Sequence, residues 1–124
     1  MKKFSMVVSA LVVAAILLFF TLAASAEMVV RQKTTMIVVH HSDSEQGNAE
    51  IFRRYHVEHN KWDDIGYHYV ICNGNGGGDG EVQTGRREDL QGAHAGKSGP
   101  NRNPFSVGIC LVGKDSFTDA QKTA

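Results

Sequence analysis

The sequence lacks several features that common protein classes require. Its 124 residues include two cysteines and two prolines, and two cysteines are too few for a small disulfide-stabilised scaffold. The chain carries 13 basic and 13 acidic residues. It therefore lacks the excess of positive charge that nucleic-acid binding proteins need, and we expect no nucleic-acid partner. Only one long apolar run is present, which excludes a membrane protein with several spans.

That apolar run lies at the N-terminus and is typical of an export signal. Two lysines precede the apolar residues 6–23, and the small residues Ala24–Ala26 form a cleavage site of the A-x-A kind. We therefore predict a signal peptide, residues 1–26, and one exported domain, residues 27–124, that acts in the periplasm or outside the cell. The apolar stretch is long for a signal peptide, so an uncleaved membrane anchor is the alternative.

The rest of the chain predicts a mixed α/β domain. Residues 35–40 and 106–112 are apolar and rich in β-branched side chains, which favours buried strands. A glycine-rich turn, residues 73–80, separates a predicted strand, 67–72, from a short one, 81–84, and so predicts a β-hairpin.

Two helices are predicted from their capping residues. Asn48 is a suitable N-cap for a helix over residues 49–60, in which Ile51, Phe52 and Tyr55 would face the core. Thr118 and the glutamine three residues later have the spacing of a capping box, so a second helix should begin at Thr118. Because one helical turn gains little by itself, the domain is expected to be incomplete within these 124 residues.

Histidines are the candidates for chemistry. The six are His40, His41, His56, His59, His68 and His94. Adjacent residues of a strand point to opposite faces, so at most one of His40 and His41 should line a given pocket. His56 and His59 have the spacing of a metal pair, but solvent-facing positions on the helix are the favoured interpretation. Neither HExxH nor CxxC is present, so spacing alone locates no metal site.

The two cysteines lie in predicted strands. Cys72 and Cys110 would form a disulfide only if their strands are neighbours with suitable geometry. Two buried free thiols are the favoured alternative.

Short motifs follow one another in an order that resembles a known family. They are IVVHHS (37–42), YH (55–56), WDDIGYHYVI (62–71), GR (85–86), GAHAG (92–96) and NPFSVGICLVG (103–113). The set resembles the type 2 N-acetylmuramoyl-L-alanine amidases, which include phage lysozyme-amidases and the peptidoglycan recognition proteins. The resemblance covers residues 34–121. It implies a mixed central sheet flanked by helices and hydrolysis of the amide between N-acetylmuramic acid and L-alanine, with a zinc ion that activates water.

The resemblance also implies roles for five residues. His40 matches a zinc ligand, and Tyr67 matches a tyrosine beside the metal that assists the reacting group. His94 and Asn103 match loop positions near the muropeptide groove, while Arg86 matches either a substrate-binding or a structural position. The implied partner is peptidoglycan or a muropeptide, bound by a monomer, with membrane contact only if the N-terminal segment is retained.

The same resemblance implies that some ligands lie elsewhere. In the family, a second histidine and a cysteine or aspartate follow the C-terminal helix, and Cys110 precedes that helix. We therefore expect this chain to bind zinc weakly and to be inactive as it stands. A non-catalytic module that binds muropeptides is the alternative function.

Overall fold

The computed structural model describes residues 28–96 and 99–124. The predicted signal peptide lies outside the described residues. Eight elements follow in chain order: β1 (Met36–His41), α1 (Ala49–Arg54), a π-helical turn (Tyr55–His59), β2 (Tyr69–Ile71), β3 (Val82–Thr84), a 3-10 turn (Asn103–Phe105), β4 (Ser106–Leu111) and α2 (Asp119–Thr123). Among the described residues, no helix is long and apolar enough to cross a membrane.

The four strands form one mixed sheet in the order β1-β4-β2-β3. β4 runs parallel to both of its neighbours, and β3 closes the predicted hairpin antiparallel to β2. His40 pairs in register with Cys110, and Cys110 with Val70, so their side chains share one face of the sheet. The predicted fold class, an α/β domain with a mixed central sheet and flanking helices, is confirmed.

The core lies on this same face, beneath α1. It contains Ala49, Ile65, Val70, Cys72, Cys110 and Val112, with Phe52 and Tyr67 packed against it. Both cysteines are buried free thiols, as favoured from the sequence. Burial of each large aliphatic side chain of this core, Ile65, Val70 and Val112, stabilises the fold by about 1.5–3 kcal/mol.

Both predicted caps are present. The Asn48 side chain accepts a hydrogen bond from the Ile51 backbone N–H, and Thr118 forms the complete capping box with Gln121. The buried Gln121 amide then donates to the carbonyls of Ile71 and Val112, which anchors α2 at the ends of β2 and β4. Local hydrogen-bonding chemistry therefore determines where each helix begins.

Two predictions about burial were wrong. β1 is an edge strand, and on one face Ile37 and Val39 are 64% and 63% exposed, because no described residue covers them. In α1, Ile51 is also exposed and Ala49 is buried, and in the π-helical turn Tyr55 is exposed whereas His56 is buried. The π-helical turn changes the period of the helix after Arg54 and directs His56 inward.

Candidate active site

The candidate site lies on the core face of the sheet, between the π-helical turn and the loop of residues 92–105. It is a cleft of about 590 Å³, which is lined by Val38, His40, Trp62, Tyr67, Ala93, His94, Ala95, Gly96, Arg102 and Asn103. Three of the residues implied by the resemblance therefore lie together with His40. A second cleft of about 510 Å³ lies beside it and shares Tyr67, so Tyr67 lies where the two clefts meet.

His40 comes from β1 and points into the cleft, while His41 is exposed on the other side. The alternation of strand side chains predicted this division. His40 Nε2 lies 2.9 Å from His94 Nδ1. Burial, and then the charge of His41, lower the pKa of His40. The imidazole is therefore neutral at pH 7, which is the state that a metal ligand or a base needs.

Tyr67 packs between two imidazoles. Its ring centroid is 5.6 Å from that of His40 and 5.5 Å from that of His56. Burial raises the pKa of Tyr67 well above its usual value, and the contact of its hydroxyl with the Cys110 thiol raises it further. The hydroxyl therefore keeps its proton at neutral pH and can act as a hydrogen-bond donor.

The Cys110 thiol lies close to Tyr67 and keeps its proton in this environment, because burial raises its pKa to about 12. That Cys110 does not replace the cysteine of the family's ligand set stays a prediction.

His56 belongs to the site, contrary to the favoured interpretation from the sequence. It is buried, its Nδ1 accepts a hydrogen bond of 3.0 Å from the Gly66 N–H, and its ring packs on Trp62 at 4.6 Å. His59 is exposed and stacks on Tyr55. His56 thus supports the back of Tyr67, a role for which the pair Tyr55-His56 was the only sequence signal.

The loop of residues 92–105 holds His94 over the sheet. Asn103 is buried, and its Oδ1 accepts from the backbone N–H groups of His94 and Ala95. An ideal Cβ on Gly108 would lie 2.4 Å from the His94 ring, so only glycine in β4 allows the ring to approach this closely. Asn103 therefore shapes the cleft wall, whether or not it also contacts substrate.

Arg86 lies outside the cleft. Its side chain is 4% exposed and donates to both carboxylate oxygens of Asp63 and to the carbonyls of Asp64, Ile65 and Gln91. All three guanidinium nitrogens are used in these contacts. This geometry favours the structural role of the two that the resemblance left open.

Acid should destabilise this metal-free site. Burial, and then the charge of His40, lower the pKa of His94 from 6.5 to about 4, and the pKa values of His40, His56 and His68 are also lowered, chiefly by burial. Between pH 6.5 and about pH 4 the unfolded chain binds more protons than the folded chain. The contribution of these neutral histidines to the free energy of unfolding is therefore present above pH 6.5 and is lost as the pH falls.

We expect the free energy of unfolding, measured by urea titration with a chelator present, to fall between pH 7 and pH 5. His94 alone should contribute about 1 kcal/mol after allowance for solvent screening. The variant His94→Phe should lose less stability over this range than the wild type, and the exposed control His59→Gln should lose as much. Stability that increases on acidification would contradict the neutral cluster.

These features define an α/β protein with a histidine–tyrosine cleft on one face of its sheet, and comparison with known proteins identifies the class further. Residues 30–124 match the family model Amidase_2, described as N-acetylmuramoyl-L-alanine amidase. The chain therefore belongs to the N-acetylmuramoyl-L-alanine amidase family Amidase_2.

Relatives of known sequence and structure agree with this assignment. Peptidoglycan recognition protein 1 of Bos indicus is 40% identical over 68 residues, which is 55% of this chain and 32% of that protein. The endolysin of Klebsiella phage KP32 is 38% identical over 86 residues, 63% of this chain and 50% of the endolysin. The solved endolysin amidase LysCS of Clostridium intestinale superposes with a TM-score of 0.67 at 27% identity, over 80% of this chain and 60% of that one. The chain thus spans about a third to a half of these curated relatives.

Proposed function

We propose that the protein is a peptidoglycan amidase that hydrolyses the bond between N-acetylmuramic acid and L-alanine. The observation that carries the proposal is the placement of His40 and Tyr67 side by side in one cleft of a chain that belongs to this family. The proposed substrate lies outside the cytoplasmic membrane, which agrees with the export expected from residues 1–26.

The reaction implied by the family uses zinc, and the described residues meet only part of that need. His40 fits as one ligand, since it is neutral and half-buried. However, the described residues contain no group of three histidine, cysteine or acidic side chains that could hold a metal, and zinc sites need at least three protein ligands. When bound, zinc would polarise the carbonyl and activate water.

The chain's own contribution is positioning and hydrogen bonding. The protonated Tyr67 hydroxyl donates to the carbonyl oxygen of the scissile amide, on which negative charge develops during attack. The two clefts that meet at Tyr67 provide room on each side of the reacting bond, as a substrate with a sugar arm and a peptide arm requires. His56 packs against the tyrosine, and Trp62 packs on His56 in turn.

A muropeptide-binding module is the second candidate. The observation that favours it is that the described residues contain no group of three side chains that could hold a metal. His40 and Tyr67 favour the enzyme, because a module that only binds needs neither a ligand nor the group that assists it.

The test uses the protein expressed from its full reading frame, supplied with zinc and incubated with purified peptidoglycan. We expect release of peptides with new L-alanine amino termini. His40→Ala should abolish the release because a ligand is lost, whereas Tyr67→Phe should lower kcat by about 10- to 1000-fold with the zinc content unchanged.

The matched controls are Tyr69→Phe and His59→Ala, which alter a half-buried and an exposed side chain outside the cleft and should leave activity at the wild-type level. Binding of the wild type to peptidoglycan without any hydrolysis would identify the binding module instead. Full activity of His40→Ala would show that the site is assigned incorrectly.

A further inference from the structure

A chain of three side chains connects β4 to His40. Ser106, fully buried at the start of β4, has its Oγ 2.8 Å from the Arg102 carbonyl oxygen and 3.2 Å from His94 Nε2. His94 Nδ1 in turn lies 2.9 Å from His40 Nε2. Each of these three contacts is within hydrogen-bond distance. The donor and the acceptor of each contact can therefore be assigned in turn.

The assignment starts from the Arg102 carbonyl, which ends this series of hydrogen bonds. A carbonyl oxygen only accepts, so the single hydroxyl proton of Ser106 points to Arg102. The Ser106 Oγ can then only accept from His94, which places a proton on His94 Nε2. In a neutral imidazole the other nitrogen is an acceptor. His94 Nδ1 therefore accepts, and His40 Nε2 must be the donor.

The obvious alternative, a His94 ring rotated by half a turn, would place carbon atoms where Nδ1 and Nε2 now contact His40 and Ser106, and would lose both hydrogen bonds. The ring lies against the backbone of Gly108, where an ideal Cβ would come within 2.4 Å of it. The backbone N–H groups of His94 and Ala95 are both held by Asn103 Oδ1, at 3.0 and 2.8 Å. Backbone and ring are thus fixed together, and the direction of the hydrogen bonds follows from their geometry.

We infer that Ser106 is a positioning residue that, through His94, holds His40 in a single tautomer with the proton on Nε2 and the lone pair on Nδ1. Among the described residues, His40 Nδ1 has no hydrogen-bond partner. The ring therefore presents one free lone pair in a fixed direction. Only the importance of this lone pair for catalysis rests on the proposed function, because the tautomer is a property of the metal-free chain.

The test measures the tautomer directly. The chain is labelled with ¹⁵N-histidine, kept metal-free at pH 7.5, and the ring nitrogens are assigned by NMR. We expect a pyridine-type shift for His40 Nδ1 and a pyrrole-type shift for Nε2. In Ser106→Ala, His94 loses the hydroxyl acceptor of its Nε2 proton and keeps only its backbone contact with residue 106, so both His40 shifts should move towards intermediate values. The exposed control Ser116→Ala should leave both shifts at their wild-type values.

His68 provides an internal control in every variant. Its Nδ1 accepts from the Gly108 N–H at 2.9 Å and its Nε2 donates to the Leu90 carbonyl at 2.9 Å. Because both partners are backbone groups of the same region, an unchanged His68 pattern shows that the sheet is intact. If Ser106→Ala alters the His68 shifts as well, the His40 shifts are measured in His94→Phe instead. His40 should again show intermediate shifts.

Two outcomes would overturn the inference. One is a wild-type His40 with its proton on Nδ1. The other is a His40 pattern that remains unchanged, while His68 is intact, in Ser106→Ala or, where that variant is unfolded, in His94→Phe. Peptidoglycan hydrolysis is measured separately on the full reading frame. Its absence would refute the proposed function and leave the tautomer assignment intact, so the two failures are distinguishable.

Discussion

Replacement of Arg86 by alanine should lower the free energy of unfolding by about 3–5 kcal/mol, because it leaves a half-buried carboxylate and several carbonyls without their donor. Arg86 donates to Asp63 through two nitrogens, at 2.7 and 3.3 Å, and to the Ile65 carbonyl at 2.8 Å. These contacts fix the turn that leads directly into Tyr67. The free energy of unfolding of a small domain is about 5–15 kcal/mol in total, so this variant should be barely folded.

The measurement is urea unfolding followed by the fluorescence of Trp62, the single tryptophan of the chain. The neighbouring Arg87 is the matched control, since it is exposed and pairs with the exposed Asp89. We expect Arg87→Ala to unfold at the wild-type urea concentration, because surface ion pairs contribute little. If Arg86→Ala keeps wild-type stability and loses only peptidoglycan binding, Arg86 contacts the substrate and the structural role is wrong.

The elements that the sequence predicted correctly depend on local chemistry. The glycine-rich turn joins β2 and β3 in a hairpin, and the side chains of Asn48 and Thr118 cap the two helices, because each of these features requires only residues a few positions apart. β1 extends over Met36–His41, so it is shifted by one residue from the predicted strand, 35–40. Its burial was predicted wrongly, since an apolar run is compatible with an edge strand as well as a central one.

The candidate site was predicted in part. The ordered motifs indicated His40, Tyr67, His94 and Asn103 as site residues, and the structure places these four around one cleft. Their catalytic and binding roles stay predictions. His56 was misjudged because the π-helical turn, which directs it beneath Tyr67, has no signature in a single sequence.

The role inferred for Ser106 has no signal in the sequence beyond its place in the NPFSVGICLVG motif. Its contact with His94 depends on the register of β4 and on the course of the loop before it. Neither the register nor the loop can be derived from composition or from spacing along the chain. The buried polar groups of this site are specified by tertiary geometry, whereas the caps and the hairpin are specified by their neighbours in sequence.

The exposed face of β1 should control how this chain associates. Ile37 and Val39 lie side by side along an edge strand and are each more than 60% exposed, and an apolar strand edge is a template for pairing with another chain. We expect the 28–124 domain to associate with itself at high concentration, although a monomer was expected from the resemblance. The double variant Ile37→Thr, Val39→Thr should weaken this association about tenfold or more, because threonine keeps the β-branched shape and removes apolar surface.

The test compares sedimentation velocity over a range of protein concentrations with urea unfolding of the same samples. Because both substituted side chains are exposed, the free energy of unfolding should change by less than about 1 kcal/mol. The matched control is Val70→Thr, the same kind of substitution in the fully buried centre of β2. It should cost about 1–3 kcal/mol of stability by burying a hydroxyl group, and it should not reduce self-association. If the double variant sediments with the concentration dependence of the wild type, a surface other than this strand face carries the association.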